Sequence, residues 1–192
     1  MPRTRTFIGI DIAEDVRDRA VALQEALAKT GAGVKWASPE GLHVTLLFLG
    51  DVDDRELHAV CRATQEAAAR EPAFALAVSG VGAFPNARRP KVVWAGITEG
   101  AESLQRLHDD LETRMLALGC YRKEDRGYTP HLTLGRVRGE ADGQTLAPEL
   151  ARLAGWEGGR TAVEEVLVFS SELDRDGPVY TVIGRAELKP TA

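Results

Sequence analysis

The chain states one order of elements twice. Phe7 to Ile12 is apolar and β-prone and reads as a strand. Val16, Ala20, Leu23 and Leu27 then recur at helical spacing, with Gly31 as a stop, which predicts an amphipathic helix over about 14–29. Val34–Trp36 reads as a short strand and Leu42–Leu49 as a longer one. A second helix spans about 53–70, with Leu57, Cys61, Thr64 and Ala68 on one stripe, and Phe74–Val78 returns as a strand. The second half follows suit: a strand at Lys91–Ile97, a helix over about 101–118 on Leu104, Leu107, Leu111, Met115 and Leu118, a strand at His131–Val137, a short helix at Leu146–Leu153 and a strand at Val163–Phe169. A final strand, Val179–Leu188, is left over. The intervals agree: 35 residues from Ile8 to His43 against 38 from Val93 to His131, and 33 from His43 to Leu76 against 35 from His131 to Val166. Repeated β-α-β-α-β order at matched spacing predicts two similar lobes related by a pseudo-twofold axis. They form a single domain over residues 1–192, with approximate sequence halves 1–86 and 87–192.

Composition narrows the functional classes. Hydrophobic residues make up 44% and charged residues 28%, as in an ordinary soluble globular protein. The formal charge of −5 excludes a general basic coat for duplex nucleic acid, but not a local basic pocket. Cys61 and Cys120 stand far apart and in no metal-binding pair, so reduced thiols and a cytoplasmic setting are expected. Met1–Thr6 leads straight into Phe7-Ile8-Gly9-Ile10, too short an apolar stretch for a signal peptide, and no run approaches the roughly 18 apolar residues of a membrane helix. A monomer with no membrane partner is expected.

Two of the four histidines open the same tetrad, His43-Val44-Thr45-Leu46 and His131-Leu132-Thr133-Leu134, each in the third element of its half. Strand side chains alternate faces, so Val44 and Leu46 anchor one strand to the core while His43 and Thr45 share the opposite face. His131 and Thr133 do the same in the second half. If a twofold relates the lobes, two imidazoles and two hydroxyls converge on one small anion. That set suits phosphoryl transfer to water without a metal. A neutral imidazole takes a proton from water, an imidazolium protonates the leaving oxygen, and threonine hydroxyls donate to non-bridging oxygens.

Arg136 extends from the end of the second motif strand, Arg138 follows and Arg126 precedes it. Arg88, Arg89 and Lys91 cluster around the loop 84–90 and read equally as a solvated loop or a phosphate-guiding patch. His58 and His108, just off the apolar stripes of their helices, read as surface residues. A zinc site on His43 and His131 lacks a third ligand nearby. No phosphate-binding or dinucleotide-binding glycine motif occurs.

The paired tetrads resemble those of the two-histidine phosphoesterases. The flanking segments resemble the LigT-like RNA 2′,3′-cyclic phosphodiesterases, also called the 2′-5′ RNA ligase family. The likeness runs through Phe7-Ile8-Gly9-Ile10-Asp11-Ile12, Leu42–Gly50, Gly82-Ala83-Phe84-Pro85, Tyr128–Arg136, Ser171-Glu172-Leu173 and Gly177-Pro178-Val179-Tyr180. The resemblance implies a bilobal α+β fold with antiparallel sheets lining a central cleft. It also implies hydrolysis of a terminal 2′,3′-cyclic phosphate on RNA to a 2′-phosphate, with slow reversible 2′-5′ joining. By the same resemblance His43 is the proton donor, His131 the proton acceptor, Thr45 and Thr133 hold the phosphate, and Arg136 assists. No cofactor, ATP or metal is implied. Two alternatives remain open: a cyclic phosphodiesterase for small nucleotides or ADP-ribose cyclic phosphate, and a non-catalytic nucleotide- or RNA-binding module.

Overall fold

The computed structural model describes residues 1–123, 127–175 and 177–191. Arg126 therefore lies outside the described residues. The chain runs β1 (Arg3–Asp11), α1 (Glu14–Ala28), β2 (Val34–Trp36), β3 (His43–Asp53), α2 (Leu57–Ala68), β4 (Phe74–Phe84), β5 (Val92–Glu99), α3 (Ala101–Leu118), β6 (His131–Val137), α4 (Glu140–Arg152), β7 (Glu157–Val163), β8 (Glu165–Asp174) and β9 (Gly177–Glu187). The strands form one curled antiparallel sheet in the order β7-β4-β5-β6-β3-β1-β8-β9, with β2 beside β6.

That order is unchanged when β1 exchanges with β5, β3 with β6, β4 with β8 and β7 with β9, so the pseudo-twofold passes between β3 and β6. The α+β architecture of two related lobes is as expected from the repeat. The lobes, however, are not the sequence halves. β4 pairs with β5 and β8 pairs with β1, so one side of the sheet takes β4 from the first sequence half and the other takes β8 and β9 from the second. Connection length accounts for the β4–β5 pairing: only residues 85–91 separate the two strands, and sequential strands joined so closely pair with each other.

The helices pack on one face of the sheet. The stripes of α1 and α3 join Val44, Leu46, Leu132 and Leu134 in a single buried cluster, leaving the other face of β3 and β6 open. Five local expectations are corrected. On α2 the buried set is Val60, Ala63, Thr64, Ala67 and Ala68, whereas Leu57 and Cys61 are only half-buried. The helix starts late because the Asp53 carboxylate caps a single 3-10 turn by accepting from the Arg55 N–H at 3.1 Å. Leu118, at the end of the α3 stripe, is also half-buried. α4 begins at Glu140, six residues before the expected start. β7 was not expected, since Glu157-Gly158-Gly159 lacks strand character; pairing with β4 makes it a strand. Among the described residues no helix is long and apolar enough to cross a membrane.

Candidate active site

β3 and β6 meet at one pair, Val44 opposite Leu132, both buried on the helix side. Alternation then delivers their neighbours to the open face. Continued by one residue, that antiparallel register would set Thr45 towards His131 and His43 towards Thr133. The two histidines are thus diagonal partners, with Cβ atoms about 7 Å apart by strand geometry. They are close enough for the charge of His131 to act on His43. Both are half-buried, neither tucked into the core nor fully solvated.

A β-bulge completes each motif. On β6, Trp94 pairs with Thr133 but Val93 pairs with Gly135, so Leu134 is an extra residue. On β3, Gly9 pairs with Thr45 but Ile8 pairs with Leu47, so Leu46 is extra in the same place. Strict alternation would turn the residue five beyond each histidine toward the helices. The extra residue reverses the parity, bringing Arg136 and Phe48 onto the face that carries the histidines. Two close approaches make room beneath them. A Cβ on Gly9 would stand 2.8 Å from the Val44 carbonyl oxygen, and one on Gly82 would stand 2.3 Å from the Trp94 ring.

Backbone carbonyls set the imidazole tautomers. His43 Nδ1 donates to the Gly41 carbonyl at 2.7 Å, and His131 Nδ1 donates to the Thr129 carbonyl at 2.7 Å. A carbonyl only accepts, so each Nδ1 carries the proton and each neutral imidazole keeps Nε2 free as a base. His43 Nε2 sits 2.9 Å from Thr45 Oγ1, whose hydroxyl donates to it in the neutral state. The segment holding Gly41 is clamped by Arg17, which donates to the Pro39 and Leu42 carbonyls and pairs with Asp11 at 2.5 Å. Before His131, the Tyr128 hydroxyl donates to the Thr45 carbonyl at 3.0 Å, tying one motif to the other. Burial pushes the Tyr128 pKa up, so that hydroxyl stays a donor.

Burial also pushes both histidine pKa values below the ordinary 6.5. The secondary influences differ. At His43 the Gly41 carbonyl and the Asp11 carboxylate favour the proton, against Arg17 and His131. At His131 only the Thr129 carbonyl favours it, against the guanidinium of Arg136.

Aromatic rings wall the site. Phe7 stacks on His43 at 4.6 Å between centroids and Tyr180 meets it edge-on at 5.3 Å, while Phe84 meets His131 edge-on at 5.0 Å. Phe48 is 40% exposed, with the Arg5 guanidinium 4.8 Å from its ring centroid. Tyr180 packs on His43, and Tyr128 stacks on His108 at 4.2 Å. His108 is thereby corrected from a surface residue to a half-buried one; His58 is exposed as expected. Phe7, Phe84, Trp94, Asp11 and Arg17 were not singled out from sequence, though Phe7 and Asp11 lie in a segment already read as a strand. Arg5 was missed too; the pairing of β1, β8 and β9 brings it within electrostatic reach of Tyr180. Among the described residues, no group of three or more His, Cys, Asp or Glu is arranged to hold a metal ion.

The paired motifs on a twofold sheet define an enzyme of the two-histidine phosphoesterase class. Residues 12–175 match the model of the 2′-5′ RNA ligase superfamily, and the chain belongs to that superfamily. It is 36% identical over 179 residues to the RNA 2′,3′-cyclic phosphodiesterase of Methanothermobacter thermautotrophicus, covering 93% of this chain and 96% of that one. The protein of the same name from Thermotoga maritima is 32% identical, with 93% and 92% covered. Among solved structures, TT0787 of Thermus thermophilus superposes with a TM-score of 0.82 at 30% identity, covering 98% of this chain and all of the other. Escherichia coli LigT complexed with 3′-AMP gives 0.77 at 25% identity, with 97% and 98% covered.

Proposed function

We propose that the protein is an RNA 2′,3′-cyclic phosphodiesterase that opens the cyclic phosphate to a 2′-phosphate by acid–base catalysis at two histidines. The observation that carries the reading is the matched tautomer lock: two Nε2 atoms, each freed by a carbonyl on Nδ1, on one face of adjacent strands. In the reaction His131 Nε2 takes a proton from water as the water oxygen bonds to phosphorus. The P–O3′ bond breaks, and protonated His43 gives its Nε2 proton to the departing 3′ oxygen. The cycle leaves His131 charged and His43 neutral, and exchange with solvent resets them. Electrostatics support this assignment, since Asp11 favours the proton on His43 and Arg136 disfavours it on His131.

Thr45 and Thr133 donate to the non-bridging oxygens, and Arg136 meets the charge that grows on them. With these three groups doing that work, the reaction requires no metal. Phe48, exposed beside Arg5, stacks on the terminal base. The same roles run backwards allow 2′-5′ joining of RNA ends. The test is hydrolysis of an oligoribonucleotide ending in a 2′,3′-cyclic phosphate, with the product read by phosphorus NMR. A 2′-phosphate formed at an undiminished rate in EDTA is expected. A 3′-phosphate, or loss of activity that zinc restores, refutes the mechanism.

A further inference from the structure

A cavity of about 410 Å³ opens where β5 begins and β6 ends, lined by Arg89, Pro90, Lys91, Val137, Arg138 and Glu140 among others. It adjoins the active-site strand. Val92 pairs with Arg136, and the Val137 N–H donates to the Lys91 carbonyl at 2.9 Å. Three cations and one carboxylate leave the lining at +2 on a chain whose formal charge is −5. Among the described residues, no ion pair holds the side chain of Lys91 or Arg138. Glu140 approaches Arg89 only at 3.7 Å, and both are largely exposed, so that pair is weak and easily displaced. A local cationic hollow on an acidic protein attracts anions without general stickiness.

We infer that this cavity is a second phosphate subsite, which takes a backbone phosphodiester of single-stranded RNA upstream of the end held at the histidines. The inference rests on the function proposed above. At about 3.3 Å per strand residue, the seven residues from His131 to Arg138 separate their Cα atoms by about 23 Å, further than one nucleotide spans. The subsite therefore engages an oligonucleotide but not a cyclic mononucleotide, and it makes chain length a determinant of KM.

The test compares Lys91→Gln/Arg138→Gln with wild type on two substrates, a hexaribonucleotide and a mononucleotide, each ending in a 2′,3′-cyclic phosphate. KM for the hexamer is expected to rise about tenfold, with kcat and mononucleotide turnover within about twofold of wild type. The slope of log KM against log salt should fall by about 1. Glu140→Gln should shift hexamer KM the other way. Arg62→Gln/Arg185→Gln, which removes the same charge far from the cavity, should leave it unchanged. Binding of a fluorescent hexamer ending in a 2′-phosphate, read by anisotropy, should follow the same ranking independently of turnover. An unchanged hexamer KM in the first variant, an equal rise in the distant control, or an equal loss on both substrates overturns the subsite. If wild type cleaves neither substrate, the histidine reading falls, and anisotropy alone decides the cavity.

Discussion

β3 and β6 run the same burial sequence over their first six residues: half-buried, buried, half-buried, buried, buried, exposed. Each begins with a histidine whose Nδ1 donates to the carbonyl two residues earlier, and each bulges at the leucine of its tetrad. What they present at the sixth position differs: Phe48 on one strand, Arg136 on the other. Their surroundings differ too, with a carboxylate influencing the first histidine and a guanidinium the second. A duplicated scaffold thus supplies equivalent positions. In the function proposed above, single-residue differences then divide the labour, with base contact and proton donation on β3 and phosphate charge and proton removal on β6.

The sharpest way to break this comparison is at the histidines. His43→Ala and His131→Ala should each lower kcat by at least about 10²-fold on a cyclic-phosphate oligonucleotide, the low end for a positioned acid or base. A near-normal rate in either variant would show that one histidine is only structural.

The sixth positions come next. Arg136→Ala should lower kcat by about 10²-fold, as expected when a donor to transition-state charge is removed. Phe48→Ala should instead act mainly on KM, by about tenfold, the effect of one lost stacking contact. Equal kcat effects at both positions would erase the proposed division of labour.

The pH dependence tests the shared feature. The proposed mechanism needs one imidazole charged and one neutral. Burial lowers both pKa values from 6.5, so at pH 7 and above the doubly neutral form dominates the free enzyme. The expected profile of kcat/KM is a bell with its maximum below pH 6.5, falling as pH rises; an optimum above pH 7 contradicts the burial argument. The smallest effect is expected at the link between the motifs. Tyr128→Phe removes the donor to the Thr45 carbonyl and should cost about 1 kcal/mol, a fall of about 2–4 °C in Tm for a chain of this size. An unchanged Tm would mean the hydroxyl contributes nothing to holding β3 against the segment before β6.

Much of this was legible in the chain. The element order, the repeat, the helix stripe at Leu104, Leu107 and Leu111, and the pairing of His43 with Thr45 and His131 with Thr133 follow from local periodicity. A side chain's direction on a helix or strand depends on its near neighbours in sequence, so these needed no tertiary information. Tertiary structure alone decided that β4 and β8 change lobes, that β7 is a strand, and that Tyr128 braces Thr45. It also decided that Arg136 and Phe48 reach the catalytic face at all. Alternation by itself sends them to the wrong side, and the bulges at Leu46 and Leu134 exist only as a mismatch in count between two paired strands. A mismatch of that kind belongs to a pair of segments, and neither segment encodes it alone.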